Sequence, residues 1–195
     1  GWDVRTSAIS AALTQSRANR TAFGFGPNEL VVAVVDTGIR YTHEDLVANM
    51  WTNAGEIPNN GIDDDANGVT DDIYGVNAVA DNGDPMDDHF HGTHCAGTIA
   101  AAGNNTKGVA GIAWQARLVA CKFLANDGSG ANSDASEAIW YAWEQAGADI
   151  ISNSWGGSVE SQEVTNQLRA AAANGAIIVV AAGNDAVDLE SRPTY

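Results

Sequence analysis

Three stretches of the chain are apolar without alternation: ELVVAVVDTG (29–38), ARLVACKFL (116–124) and GAIIVVAAGN (175–184). ADIISNSWGG (148–157) is a shorter version. Strands buried on both faces of a sheet read this way. Stretches of helical period lie between them. Residues 134–146 set Ala135, Ala138, Ile139, Ala142 and Ala146 on one stripe, stopped by Gly147. Residues 159–174 set Val164, Leu168, Ala171 and Ala172 on another, closed by Asn174-Gly175. Residues 91–102 are small and apolar on nearly every side, which predicts a buried helix. Alternating strand and helix predicts a parallel α/β sheet with right-handed crossovers, whose functional groups gather at the carboxyl ends of the strands. Asp36, Asn153-Ser154 and Asn184 stand at such ends and are expected near one another. Residues 51–90 break the pattern. They are rich in Asp, Asn and Gly, and the stretch is too long for an idle connection, so a function or a ligand must order it.

Composition narrows the functional classes. The 195 residues suit one domain with a sizeable core, and a 45% hydrophobic fraction excludes general disorder. The formal charge is −16, with Lys plus Arg only 9. Such a chain repels nucleic acid and anionic membrane, and suits calcium or an extracellular medium. No apolar run reaches the ~18 residues of a membrane helix, and Gly1-Trp2-Asp3 does not open a signal peptide. Cys95 and Cys121 do not make a disulfide framework or a zinc knuckle. Two buried thiols are expected rather than a bridge.

The candidate chemistry starts in HFHGTHCAGTIA (89–100). His91 opens the small-residue helix, so its orientation is restricted. Asp36, at the tip of the first buried strand, could hold one ring nitrogen and leave the other free as a base. Asn184, ending Ala181-Ala182-Gly183-Asn184, could donate to an oxyanion. A zinc site from His89, His91 and His94 is the rival reading, with His91 and His94 at i, i+3.

Together these segments resemble the subtilisin family of serine proteases. VVAVVDTGI resembles its Asp motif and HGTHCAGTIAA its His motif, in the form found in the thermitase and proteinase K branches. SNSWGG resembles the substrate-binding segment, and VVAAGN the oxyanion-asparagine motif. The resemblance implies a three-layer α/β/α fold with a parallel central sheet, and a calcium-stabilised serine endopeptidase acting through an Asp-His-Ser triad. Asp36 would orient and stabilise the His91 imidazolium, His91 would be base and then acid, and Asn184 would donate to the oxyanion. Gly128, Ser129 and Gly130 would flank the substrate backbone on one side and Ser154, Trp155 and Gly156 on the other, with Ala182 and Gly183 in the pocket floor. The expected partners are a peptide or protein substrate and a propeptide or protein inhibitor. The expected setting is extracellular or the secretory pathway. No Gly-Thr-Ser occurs in the chain. Residues 1–195 are therefore expected to be one subtilisin-like peptidase domain truncated before the nucleophile, the N-terminal two-thirds of the catalytic domain, inactive alone. GWD would belong to the helix before the first strand and SRPTY to the lead-in of a further one. A non-catalytic calcium-binding pseudoprotease or peptide-binding module is the alternative.

DDDANGVTDDIY (63–74) invites calcium on its own terms. Asp63, Asp65 and Asn67 fall at the first, third and fifth positions of an EF-hand-like loop. Gly68 falls at the turn and the Val69 carbonyl at the seventh position. Tyr74 replaces the final Glu, so Asp71 or Asp72 must supply the last carboxylate. By family resemblance a second calcium would use the Asp45 and Asn105 side chains and the carbonyls of Ala102, Lys107 and Val109.

Overall fold

The computed structural model describes residues 29–157, 159–186 and 188; the GWD and SRPTY segments lie outside them. The elements in chain order are β1 (Val31–Asp36), β2 (Gly75–Asn77), α1 (His91–Ala100), β3 (Arg117–Lys122), α2 (Asn132–Trp140), β4 (Ile150–Asn153), α3 (Gln162–Ala173) and β5 (Ile177–Val180). The five strands form one sheet in the order β2-β3-β1-β4-β5. Every pairing is parallel, with Val32 opposite both Leu118 and Ile150. No helix among the described residues is long and apolar enough to cross a membrane.

Strand pleat divides the core. Val31, Ala33 and Val35 of β1, with Val119 and Cys121 of β3, pack under α2 and α3. Val32 and Val34, with Leu118 and Ala120, pack against α1 on the other face. Period-2 alternation within an all-apolar strand thus serves two cores, which is why no polar face is visible in the sequence. The chain leaves β1 toward the α1 face, and leaves β3 and β4 toward the α2/α3 face. Such a division opens a crevice at the carboxyl end of the strands.

Two elements differ from the sequence reading. Helix α1 is not buried all round: Gly92, Ala96 and Ala100 are buried while His94 and Thr98 are exposed. Its small residues permit a very close approach instead, since a Cβ on Gly92 would lie 2.1 Å from the Gly38 carbonyl oxygen. The stripe at 134–146 starts earlier, at Asn132, and its last turn Tyr141–Gln145 is a π-helix. There Ala146 N–H donates to the Tyr141 carbonyl at 3.0 Å. The extra residue keeps Tyr141, Ala142 and Ala146 inside, each 0% exposed. Strand β2, inside the acidic segment, is too short for a periodic signal. Gly75 in β2 has φ of 134°, and a Cβ there would strike the Ala120 carbonyl oxygen at 1.9 Å.

Leu118 is fully buried at the centre of the α1-side core. Leu118→Ala should cost about 2–5 kcal/mol in urea unfolding, as cavity-forming core substitutions do. A loss well under 1 kcal/mol would contradict this packing.

Candidate functional site

Strand β1 ends on Asp36, 0% exposed. Both of its carboxylate oxygens face Nδ1 of His91, at 2.8 and 3.0 Å. Oδ1 also accepts from Thr37 N–H at 2.7 Å. The His91 side chain is 41% exposed against 0% for Asp36. The pair is therefore a buried acceptor that fixes the Nδ1–H tautomer, beneath a ring with its other side open. This geometry makes a neutral imidazole a usable base.

The surrounding backbone is held by a buried cation. Lys122, at the end of β3, is 3% exposed. Its Nζ donates to the carbonyls of Thr37 (2.8 Å) and Leu124 (2.7 Å) and to Asp88 Oδ1 (2.6 Å). It joins the exits of β1 and β3 to the segment leading into α1.

Beyond the strand ends lies a cleft of about 490 Å³, lined among others by Gly128, Ser129, Gly130, Trp155 and Gly156. Phe123 and Trp155 meet edge to face at 4.7 Å beneath it. Gly130 cannot carry a side chain without striking the Phe123 carbonyl oxygen, 2.4 Å from its ideal Cβ. Ser154 turns to the Cys95 thiol. Ala182, Gly183 and Asn184 follow β5 and are exposed.

The sequence profile described as the Subtilase family matches residues 27–194. The chain belongs to the subtilase family. Subtilisin-like protease 1 of Plasmodium vivax is 40% identical over 167 residues, covering 83% of this chain and 26% of that protein. Thermitase of Thermoactinomyces vulgaris is 34% identical over 164 residues, 84% of this chain and 50% of that protein. The solved structure of Sphericase aligns with a TM-score of 0.63 at 32% identity, covering 82% of this chain and 47% of that one. The chain thus spans between a quarter and a half of these relatives. The three-layer α/β fold of this subtilase agrees with that likeness.

The histidines do not form a zinc trio: among the described residues, His89, His91 and His94 are not gathered as metal ligands. His91 spends Nδ1 on Asp36, and His94 is exposed. Asp36, His91 and Cys95 do bring ligand atoms within 4.8 Å. The Asp–His hydrogen bonds account for that closeness without an ion.

In the acidic segment the structure gathers Glu56, Asp65 and Asp72, whose ligand oxygens lie within 4.8 Å of one another. Asp72 is fully buried, and desolvation raises its pKa against hydrogen bonds from Tyr141, Asn67 and Asn53. The donors around this group are neutral: Asn53 Nδ2 reaches Asp65 (2.9 Å) and Asp72 (2.8 Å), and Asn67 Nδ2 reaches Asp72 (2.9 Å). Tyr141 OH adds a further bond to Asp72. Either amide, turned over, presents an oxygen in place of its nitrogen. Asp63 accepts from the N–H groups of Asn67 and Gly68, and Asp71 from those of Asn60 and Gly61. Both shape the loop, whereas Val69 donates its N–H to Asn67 Oδ1. Glu56 escaped the sequence reading because it stands before the spaced aspartates, in a stretch with no period.

At the second candidate the groups that meet Asp45 are amide and backbone N–H donors, not the carbonyls expected to hold a calcium ion. Asp45, 2% exposed, accepts from Asn105 Nδ2 at 2.6 Å and Val109 N–H at 2.9 Å. Its own carbonyl accepts from Ala102 N–H at 2.9 Å, and Lys107 N–H donates to Asn105 Oδ1 at 3.0 Å. The Asn105 and Val109 bonds hold the Asp45 carboxyl below its usual range. Its stabilising effect is therefore present above the ordinary carboxylate pKa and lost as pH falls through the lowered one.

Cys95 and Cys121 are both free. Cys95 Sγ lies 3.9 Å from His91 Nδ1, yet burial raises its pKa, as it does more strongly for Cys121. At pH 7 a disulfide reagent should modify native Cys95 more slowly than a free thiol, and Cys121 only on unfolding. Fast labelling of Cys95 would show a thiolate–imidazolium pair instead.

Proposed function

We propose that this subtilase chain carries the base and the base-orienting carboxylate of a serine endopeptidase. The single observation that carries the reading is the Asp36–His91 pair at the carboxyl ends of the strands. In this mechanism His91 takes the proton of a serine hydroxyl as it attacks the peptide carbonyl. His91 then returns the proton to the leaving amine, while Asp36 stabilises the intervening imidazolium. Asn184 supplies the oxyanion donor. The cleft beside Gly128, Ser129, Gly130, Trp155 and Gly156 accepts an extended peptide, from a substrate or from a propeptide or protein inhibitor, by backbone pairing. Ser154 would border this path, and Ala182 and Gly183, just past Ala181 in the cleft lining, would form its floor.

Calcium is part of the same proposal. Three converging carboxylates with only neutral donors fit a hard divalent cation. Glu56, Asp65 and Asp72 would hold it with an Asn67 amide oxygen, and Asp63 and Asp71 would set the loop. Asp45, Asn105 and the carbonyls of Ala102, Lys107 and Val109 would hold a second ion. Bound calcium neutralises these carboxylates and stabilises the fold. An extracellular or secretory setting suits calcium sites and a charge of −16.

Two experiments test this reading. At calcium a hundredfold above Kd, binding contributes about 2.7 kcal/mol. Chelation should then lower Tm by roughly 5–10 °C. Asp65→Ala and Glu56→Gln should each shrink that shift. A Tm indifferent to chelator would leave the loop merely acidic. The isolated chain has no serine in a Gly-Thr-Ser context, so a fluorophosphonate should not label it. In a protein carrying the serine, His91→Ala should reduce kcat/KM roughly 10⁴-fold or more. Strong labelling of residues 1–195 alone would point to another nucleophile, such as Ser154.

A further inference from the structure

We propose that Asp87 is a positioning residue for the Asp36–His91 pair, acting through Thr37, Thr93 and the backbone that enters α1. The inference rests on the catalytic reading of that pair.

The sequence gives Asp87 no distinction among its acidic neighbours, but the structure makes it a hub. Oδ1 accepts from the Thr37 hydroxyl at 2.9 Å, His89 N–H at 2.9 Å and Phe90 N–H at 3.0 Å. Oδ2 accepts from Thr93 N–H at 3.1 Å and the Thr93 hydroxyl at 2.5 Å. Burial alone would raise its pKa, yet these bonds hold the carboxyl below its usual range.

Each partner leads to the catalytic pair. Thr37 follows Asp36 directly, and its hydroxyl oxygen accepts from Gly92 N–H at 2.9 Å while donating to Asp87. One hydroxyl therefore links the residue after Asp36 to the residue after His91. Thr93 Oγ1 in turn accepts from Arg40 N–H at 2.9 Å, fastening the β1 exit loop a second time. Between His89 and His91, Phe90 has φ of 124°, a conformation rarely adopted outside glycine. The residue is 68% exposed, and its ring stacks on that of His89 at 4.3 Å. The Asp87 bond to its N–H holds that strained turn, and the turn sets the direction in which His91 enters the helix.

Steric closeness makes the arrangement stiff. A Cβ on Gly38 would lie 2.4 Å from the Pro85 carbonyl oxygen and 3.1 Å from Asp87 N. Ile39 N–H donates to that same Pro85 carbonyl at 3.1 Å. The segments 36–40 and 85–93 are therefore clamped at backbone distance, with the Asp87 carboxylate between them. An ordinary helix cap would hold only the free N–H groups of α1. Asp87 also binds the loop that carries Asp36.

The test is NMR on the intact chain, observing the His91 ring nitrogens and the proton on Nδ1. Asp87→Asn keeps the volume but exchanges one acceptor oxygen for a donor. Thr37→Val removes the link to Gly92 and leaves the Asp87 bonds to His89, Phe90 and Thr93 in place. In each, exchange of the His91 Nδ1 proton with water should accelerate about tenfold, equivalent to one net hydrogen bond. The ring should lose its single Nδ1–H tautomer. The comparison is wild-type protein in urea at the same residual stability. If Asp87→Asn does not fold, Thr37→Val gives the answer alone. A lowered Tm with unchanged exchange and tautomer would overturn the proposal and leave Asp87 a helix cap. In a protein carrying the serine, Asp87→Asn should lower kcat while KM holds. Absence of peptidase activity in that wild-type protein would sink the catalytic reading and leave the NMR result standing.

Discussion

A carboxylate removed from water must find donors, and Asp36 finds them in Thr37 N–H and the His91 ring. That requirement organises this half of the molecule. It draws the first turn of α1 against the end of β1, an approach that Gly92 permits, while Gly38 admits the segment at Pro85–Asp87. Lys122 lies beneath the two strand exits, where its three acceptors neutralise and satisfy it. A buried cation and a buried anion a short way apart both attach to backbone, so the strand ends cannot drift independently of the helix.

The sheet supplies the rigidity that this arrangement needs. β1 is buried on both faces between neighbours on each side, and its last residue inherits that immobility. By contrast, among the described residues β5 is the last strand of the order, and Val179 and Val180 are 49% and 63% exposed. Asp36 therefore stands on the central strand of the order, and Asn184 is exposed beyond its last described strand.

Long-period and all-apolar patterns were legible in the sequence, and they located four strands, three helices and the Asp36–His91 pair. The two-sided core of β1 reads as an unbroken run, and a histidine at the head of a small-residue helix reads as oriented. What could not be read depends on contacts across the chain. Asp87 and Asp88 are neighbours of the same type, yet one holds Thr37 and Thr93 and the other holds Lys122. Glu56 meets Asp72 only because the loop closes on itself. The all-round burial expected of α1 failed because small apolar residues signal close approach on one side as readily as burial on every side.

The π turn at Tyr141–Gln145 gives the helix between β3 and β4 one residue more than an α-helical path of the same reach. Every residue beyond it is turned by about 100° relative to an uninterrupted α-helix. The segment is therefore a ratchet in the length of the chain. Loss of one residue there would leave a regular helix of good geometry, yet swing Ala146 and Ala148 off the core and withdraw the entry to β4 from Val31. Length variation that most helices reject outright would here be accepted locally and refused one element later, at the strand beside Asp36.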